Sequence, residues 1–130
     1  MPLRSSLAAL ALLVSTAAQA AGPGSQATGT FEHTQDGYQQ TAKVKAVGSS
    51  GYAGNFSTGS TRGCAGEVDM KGRATGPSTI VFSQTDNGQT CRITARYTSG
   101  FRSVILEEDG CTFWHGAACE FQGPLNRTGR

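Results

Sequence analysis

Residues Cys64–Ala74 read CAGEVDMKGRA, and their alternation places Cys64, Gly66, Val68, Met70 and Gly72 on one face and Glu67, Asp69, Lys71 and Arg73 on the other. A period of two is the mark of a half-buried strand. Cys91–Tyr97 (CRITARY) repeats it, with Cys91, Ile93, Ala95 and Tyr97 inward and Arg92, Thr94 and Arg96 toward water. Weaker alternation marks Thr41–Val47 and Tyr52–Phe56, while Thr79–Ser83 and Phe101–Leu106 are β-branched and aromatic runs of the kind central strands carry. Gly29–His33 and Ala118–Gly123 complete a set of about eight strands.

Turn signals fall between these runs at short intervals: Asp36-Gly37, Gly48–Gly51, Gly59–Gly63, Gly76-Pro77, Asp86–Gly88, Ser99-Gly100 and Asp109-Gly110. No segment between them has room for a long helix. Such a meander must close into a barrel or fold into two packed sheets, because an open sheet would leave two unpaired edges. The fold expected is therefore all-β, a small antiparallel up-and-down barrel, with a β-sandwich as the alternative. Its expected core is Phe31, Val44, Tyr52, Phe56, Val68, Met70, Ile80, Phe82, Ile93, Tyr97, Leu106 and Phe121.

Met1–Ala20 reads as a secretory signal peptide, with Arg4 near the start, an apolar run over Leu7–Val14 and an Ala18-Gln19-Ala20 cleavage pattern. The run is too short to span a bilayer as a helix, and with no cysteine before Cys64 a lipid anchor next to the cut is not expected. Cleavage after Ala20 leaves 110 of the 130 residues, the size of one domain. Within it, 21–28 reads as a flexible leader, 29–125 as a single β domain and 126–130 as a loose tail. Without Arg4, ten basic residues face nine acidic ones. This near-neutral balance favours neither nucleic acid nor an anionic membrane as partner. The mature chain is expected to be periplasmic or secreted, and a monomer.

Four cysteines in an exported chain imply two disulfides. Cys64 and Cys91 share an inward orientation, which favours pairing them, provided Cys64 lies at its strand's end, where the Cα separation can fall below the limit of about 7 Å. Cys111 with Cys119 would then close a nine-residue ring. The rings would contribute about 3.6 and 2.6 kcal/mol respectively. The two crossed pairings stay open.

Only two histidines exist, His33 and His115, which restricts catalytic schemes. His33, beside the leader, reads as exposed. His115 follows Phe113 and the only tryptophan, Trp114, and precedes Gly116, inside the suspected ring. A cyclised aromatic loop suits recognition, since little entropy is lost when it docks. The same loop could instead seal one end of the barrel, with His115 bonded to nearby backbone. A zinc site on Cys111, His115 and Cys119 lacks a fourth ligand and competes with oxidation, so no metal and no cofactor are expected. Glu107-Glu108-Asp109 reads as a solvated turn rather than a carboxylate pair for glycoside chemistry. No catalytic residues are assigned. A scheme using His115 with Glu107 or Glu108 remains a third option behind binding and carriage.

The C-terminal stretch, a cysteine, aromatics, His115-Gly116, a cysteine, Phe121-x-Gly123 and Arg127, resembles the ends of small uncharacterised periplasmic β proteins of Gram-negative bacteria, some of them lysozyme-inhibitor-like. One inhibitor family presents a histidine from a short disulfide-closed loop to the acidic cleft of lysozyme, and His115 between Cys111 and Cys119 is similar in concept. The resemblance implies an exported, non-enzymatic binding module whose partner is a lysozyme-like hydrolase of the cell wall, with His115 meeting a carboxylate and Trp114 filling a sugar subsite. The alternative is a carrier holding a small apolar ligand inside the barrel.

Overall fold

Two tight turns at one end of the molecule set the strand directions. Asp36 and Gly37 have φ of 50° and 79°, and Asn87 and Gly88 have 49° and 73°. Positive φ at both central positions is the geometry whose twist matches a two-residue hairpin, and Asp-Gly and Asn-Gly adopt it most readily. The strands so connected are β1 (Gly29–Gln35), β2 (Tyr38–Val47), β3 (Gly51–Ser60), β4 (Cys64–Gly76), β5 (Thr79–Asp86), β6 (Gln89–Tyr97), β7 (Ser103–Asp109) and β8 (Gly123–Gly129). In this computed structural model, which describes Pro2, Ala11, Leu12 and Gly22–Arg130, each strand pairs antiparallel with the next and β8 returns to β1. The fold is a closed eight-stranded up-and-down barrel, and closure removes every sheet edge. Apart from those three residues, the expected signal peptide lies outside the described residues. No helix among the described residues is long and apolar enough to cross a membrane.

All twelve residues expected in the core are buried, joined by Ala42, Ala95, Val104 and Leu125. Phe56 and Phe82 meet edge to face at 5.1 Å in the middle of the barrel. Gly54 and Gly72 make room for them: a Cβ at Gly54 would stand 2.7 Å from the Phe56 ring, and one at Gly72 would stand 2.6 Å from Phe82. The interior is thus filled by side chains, as eight strands allow.

Three boundaries differ from the sequence reading. The stretch read as a flexible leader, 21–28, contains a 3₁₀ turn, Gly24–Ala27, that caps the barrel where β1 begins. Ala27 is fully buried there, and the Gly24 N–H donates to the Tyr52 hydroxyl at 2.9 Å. The last strand is not Ala118–Gly123 but β8, so most of the expected loose tail, 126–130, is paired with β1 and β7. Finally, Phe101 sits not in β7 but in a second 3₁₀ turn, Ser99–Phe101, at the same end as the first.

Tyr97 closes the core beneath these turns, donating its hydroxyl to the Ala27 carbonyl at 3.2 Å and packing edge-on to Phe31 at 5.6 Å. Burial pushes its phenol well above the ordinary value of 10, against an opposing pull from Arg127. The unfolded chain therefore releases this proton first. The associated stability is intact below about pH 10 and is lost as the pH rises toward the folded-state value. We expect urea unfolding between pH 9 and 11 to show the wild type losing stability relative to Tyr97→Phe, by up to about 1.4 kcal/mol per pH unit. Parallel curves would refute this.

Candidate functional site: the lid between β7 and β8

At the end opposite the 3₁₀ turns, the chain leaves β7 and crosses the barrel mouth before entering β8. Gly110 (φ 74°) turns it inward, and Cys111 then bonds to Cys91 with a Cα separation of 4.4 Å. One helical turn follows, α1 (Thr112–His115), and the return passes through Cys119, which bonds to Cys64 at 5.8 Å. The favoured pairing of Cys64 with Cys91 and Cys111 with Cys119 is therefore corrected to one of the crossed alternatives. The reason is geometric: Arg92 faces Asp109 across β6 and β7, so Cys91 lies beside the residues that follow Asp109. Cys111 is its natural partner.

The segment is a lid rather than a projecting ring. His115, read either as part of a recognition loop or as bonded to nearby backbone in a loop sealing the barrel end, is only 6% exposed, as the second reading has it. Its Nδ1 meets the Gly116 carbonyl, and its Nε2 lies 2.8 Å from Glu108 Oε1 and 3.1 Å from Oε2. The Phe121 N–H donates to Glu108 Oε2 at 3.0 Å, and the Phe121 ring stands edge-on to His115 at 4.9 Å. Both acceptors around the imidazole are satisfied together only when a proton lies between Nε2 and the carboxylate as well as on Nδ1.

The return strand of the lid is held from β2. Buried Gln40 donates to the carbonyls of Gln122 (2.7 Å) and Glu120 (3.0 Å), while the Tyr38 hydroxyl both donates to the Glu120 carbonyl and accepts its N–H.

The acidic run divides by strand alternation. Glu107 faces solvent, 3.5 Å from Arg96, and Glu108 turns inward to His115. The sequence reading of a solvated run misses that inward carboxylate. His33, read as exposed, is half-buried in β1. Both lid cysteines are oxidised, so the Cys111, His115, Cys119 trio offers no thiolate to a metal.

Phe113 and Trp114 form the lid's outer surface. Phe113 is 50% exposed, Trp114 is half-buried, and the rings meet edge to face at 5.1 Å. Exposed Asp36, Asp86, Asp109 and Glu120 lie on the turns and strand ends of this mouth, with Arg62 and Arg92 among them. Beneath, Gly66 of β4 lets the lid down onto the barrel: a Cβ there would fall 2.4 Å from His115 Cβ and 2.8 Å from the Trp114 carbonyl. Because disulfides fix the lid on both sides, it has little freedom to yield. Gly66→Ala should cost about 1–3 kcal/mol and shift the emission of Trp114, the only tryptophan. Unchanged stability and emission would show that the lid is not seated this way.

The fold and site together define a disulfide-pinned up-and-down barrel with a rigid aromatic lid. Comparison of the chain with family models, with curated proteins and with solved structures finds no match.

Proposed function

We propose that the protein is an exported, non-enzymatic binding module that meets a protein partner through Phe113 and Trp114, the partner class being a cell-wall hydrolase of the lysozyme type. The observation that carries this reading is exposed Phe113, backed by half-buried Trp114, on a segment whose backbone is otherwise fixed by two disulfides and by hydrogen bonds to Glu108, Gln40 and Tyr38. A surface already held in one conformation gives up little entropy on association, and aromatic anchors supply a large share of interface energy. The acidic rim suits a basic partner. Export is supported by the signal-like start and by two disulfides, which persist in oxidising compartments.

In this reading His115 supports the loop from beneath instead of entering a cleft, since both its ring nitrogens are engaged within the lid. The same engagement removes it as a general base. A carrier reading would need volume that Phe31, Phe56, Phe82 and Phe121 already fill.

The test is a hydrolysis assay of several lysozyme types with the purified protein. Inhibition of at least one is expected, weakened by roughly thirty-fold or more on Phe113→Ala with Trp114→Ala. Hydrolysis unaffected in every case, or inhibition indifferent to the double substitution, would remove the proposal.

A further inference from the structure

The end of the barrel away from the lid gathers positive charge. Lys45, Arg73, Arg96, Arg102, Arg127 and Arg130 lie on its strand ends and turns, whereas Asp36, Asp86, Asp109 and Glu120 lie at the lid end. Arg96 is answered by Glu107. Arg127 is not answered by any carboxylate among the described residues. Its guanidinium, half-buried and 4.6 Å above the Phe31 ring, donates only to neutral carbonyls: Nε to Phe101 (2.9 Å), Nη1 to Thr28 (2.8 Å) and Nη2 to Gln26 (2.6 Å). Of its five N–H donors, three are used this way. One on each terminal nitrogen is left.

Beside Arg127 opens a hollow of about 500 Å³, lined by Ser25, Gln26, Thr28, Gly100, Phe101 and Arg130. Its wall holds a second unusual feature. Phe101 has φ of 57°, a left-handed conformation disfavoured for a bulky side chain, and backbone strain of this kind concentrates at ligand-binding positions. That conformation aims the Phe101 carbonyl at Arg127 while its ring packs 5.2 Å from Tyr97.

We propose that this hollow binds a small organic anion, with its oxyanion on Arg127 and Arg130 and its apolar part against Phe101. A guanidinium drawn partly out of water without a counter-charge gains most from an anion, and its planar fork suits phosphate or carboxylate. Neighbouring cations raise the local concentration of such ligands. Ser25 and Gln26 add polar side chains to the same wall. This site is independent of the lid and of any partner bound there.

Titration of the whole protein with phenyl phosphate, benzoate and inorganic phosphate, followed by backbone amide NMR shifts, tests the assignment. Phenyl phosphate or benzoate should give saturable shifts at Gly100, Phe101 and Arg130, and whichever of the two binds more tightly identifies the headgroup. Inorganic phosphate, which cannot use Phe101, should bind more weakly. Arg130→Ala removes an exposed side chain and so leaves the fold intact, and it should weaken binding roughly tenfold or more. Arg127→Lys keeps the charge but loses the fork and should do the same, while Arg62→Ala, at the lid end, should change nothing. Shifts that fail to saturate at millimolar probe, or that survive both Arg130→Ala and Arg127→Lys, would overturn the proposal.

Discussion

Glu108→Ala will destabilise the protein by about 3–5 kcal/mol, an effect out of proportion to one side chain in an acidic run. The carboxylate is the common partner of His115 Nε2 and the Phe121 N–H, and the side chains of the pair are 15% and 4% exposed respectively. Removing it strands two donors in a space with little water, and a buried group left unpaired costs more than the bond contributed. Glu107→Ala, next along the strand, loses only a solvent-exposed pair with Arg96 and should change stability by less than about 1 kcal/mol. Urea unfolding followed by Trp114 fluorescence compares the two variants. A double-mutant cycle with His115→Ala should show strong coupling, because either single change already breaks the pair. Equal effects of Glu107→Ala and Glu108→Ala would contradict the arrangement described.

Much of this architecture is legible in the chain because strand periodicity and turn chemistry agree with each other. The inward set of Cys64–Ala74 and Cys91–Tyr97 is buried as read, except where Cys64, Gly66 and Gly72 approach the surface. The Asp36-Gly37 and Asn87-Gly88 turns end strands where a two-residue hairpin requires. The lid was harder to read because it follows neither rule. Between Gly110 and Gln122 no period of two survives, so a bridge between Cys111 and Cys119 looked local when each cysteine in fact reaches back to an earlier strand.

One signal for the correct pairing was present. The hairpin of β6 and β7 is centred on Gly100 and Phe101, and counting outward from there carries Cys91 to the level of Gly110, next to Cys111. The inward turn of Glu108 also follows from alternation with Leu106, an expected core residue that is buried. What alternation alone could not supply was the imidazole waiting there, since His115 arrives through a loop. Gly66 marks the same contact from the other side: in an otherwise clean strand, a glycine facing the barrel mouth signals the close approach of another backbone.

The two disulfides are nested, and nesting sets their energetics. Cys91–Cys111 spans 20 residues and lies wholly inside the 55 spanned by Cys64–Cys119. Replacing Cys91 and Cys111 by alanine should lower the unfolding free energy by about 3 kcal/mol, and replacing Cys64 and Cys119 by about 4 kcal/mol. With the inner bridge intact, the covalent path closed by the outer one falls from 55 steps to about 35, because 20 are bypassed. Each bridge thus restricts less of the unfolded chain when the other is present. The quadruple variant should therefore lose about 7 kcal/mol, slightly more than the two separate losses combined. Against the 5–15 kcal/mol typical of a whole domain, that loss leaves the fold marginal or absent. Non-reducing mapping with trypsin and chymotrypsin together gives the independent check, since trypsin can cut after Arg92, Arg96 and Arg102 within the inner ring and chymotrypsin after Phe113 and Trp114, which separates Cys111 from Cys119. The nested arrangement links the fragment carrying Cys91 to that carrying Cys111. A fragment joining Cys64 to Cys91 would reject it, and with it the fixed lid on which the aromatic pair is displayed.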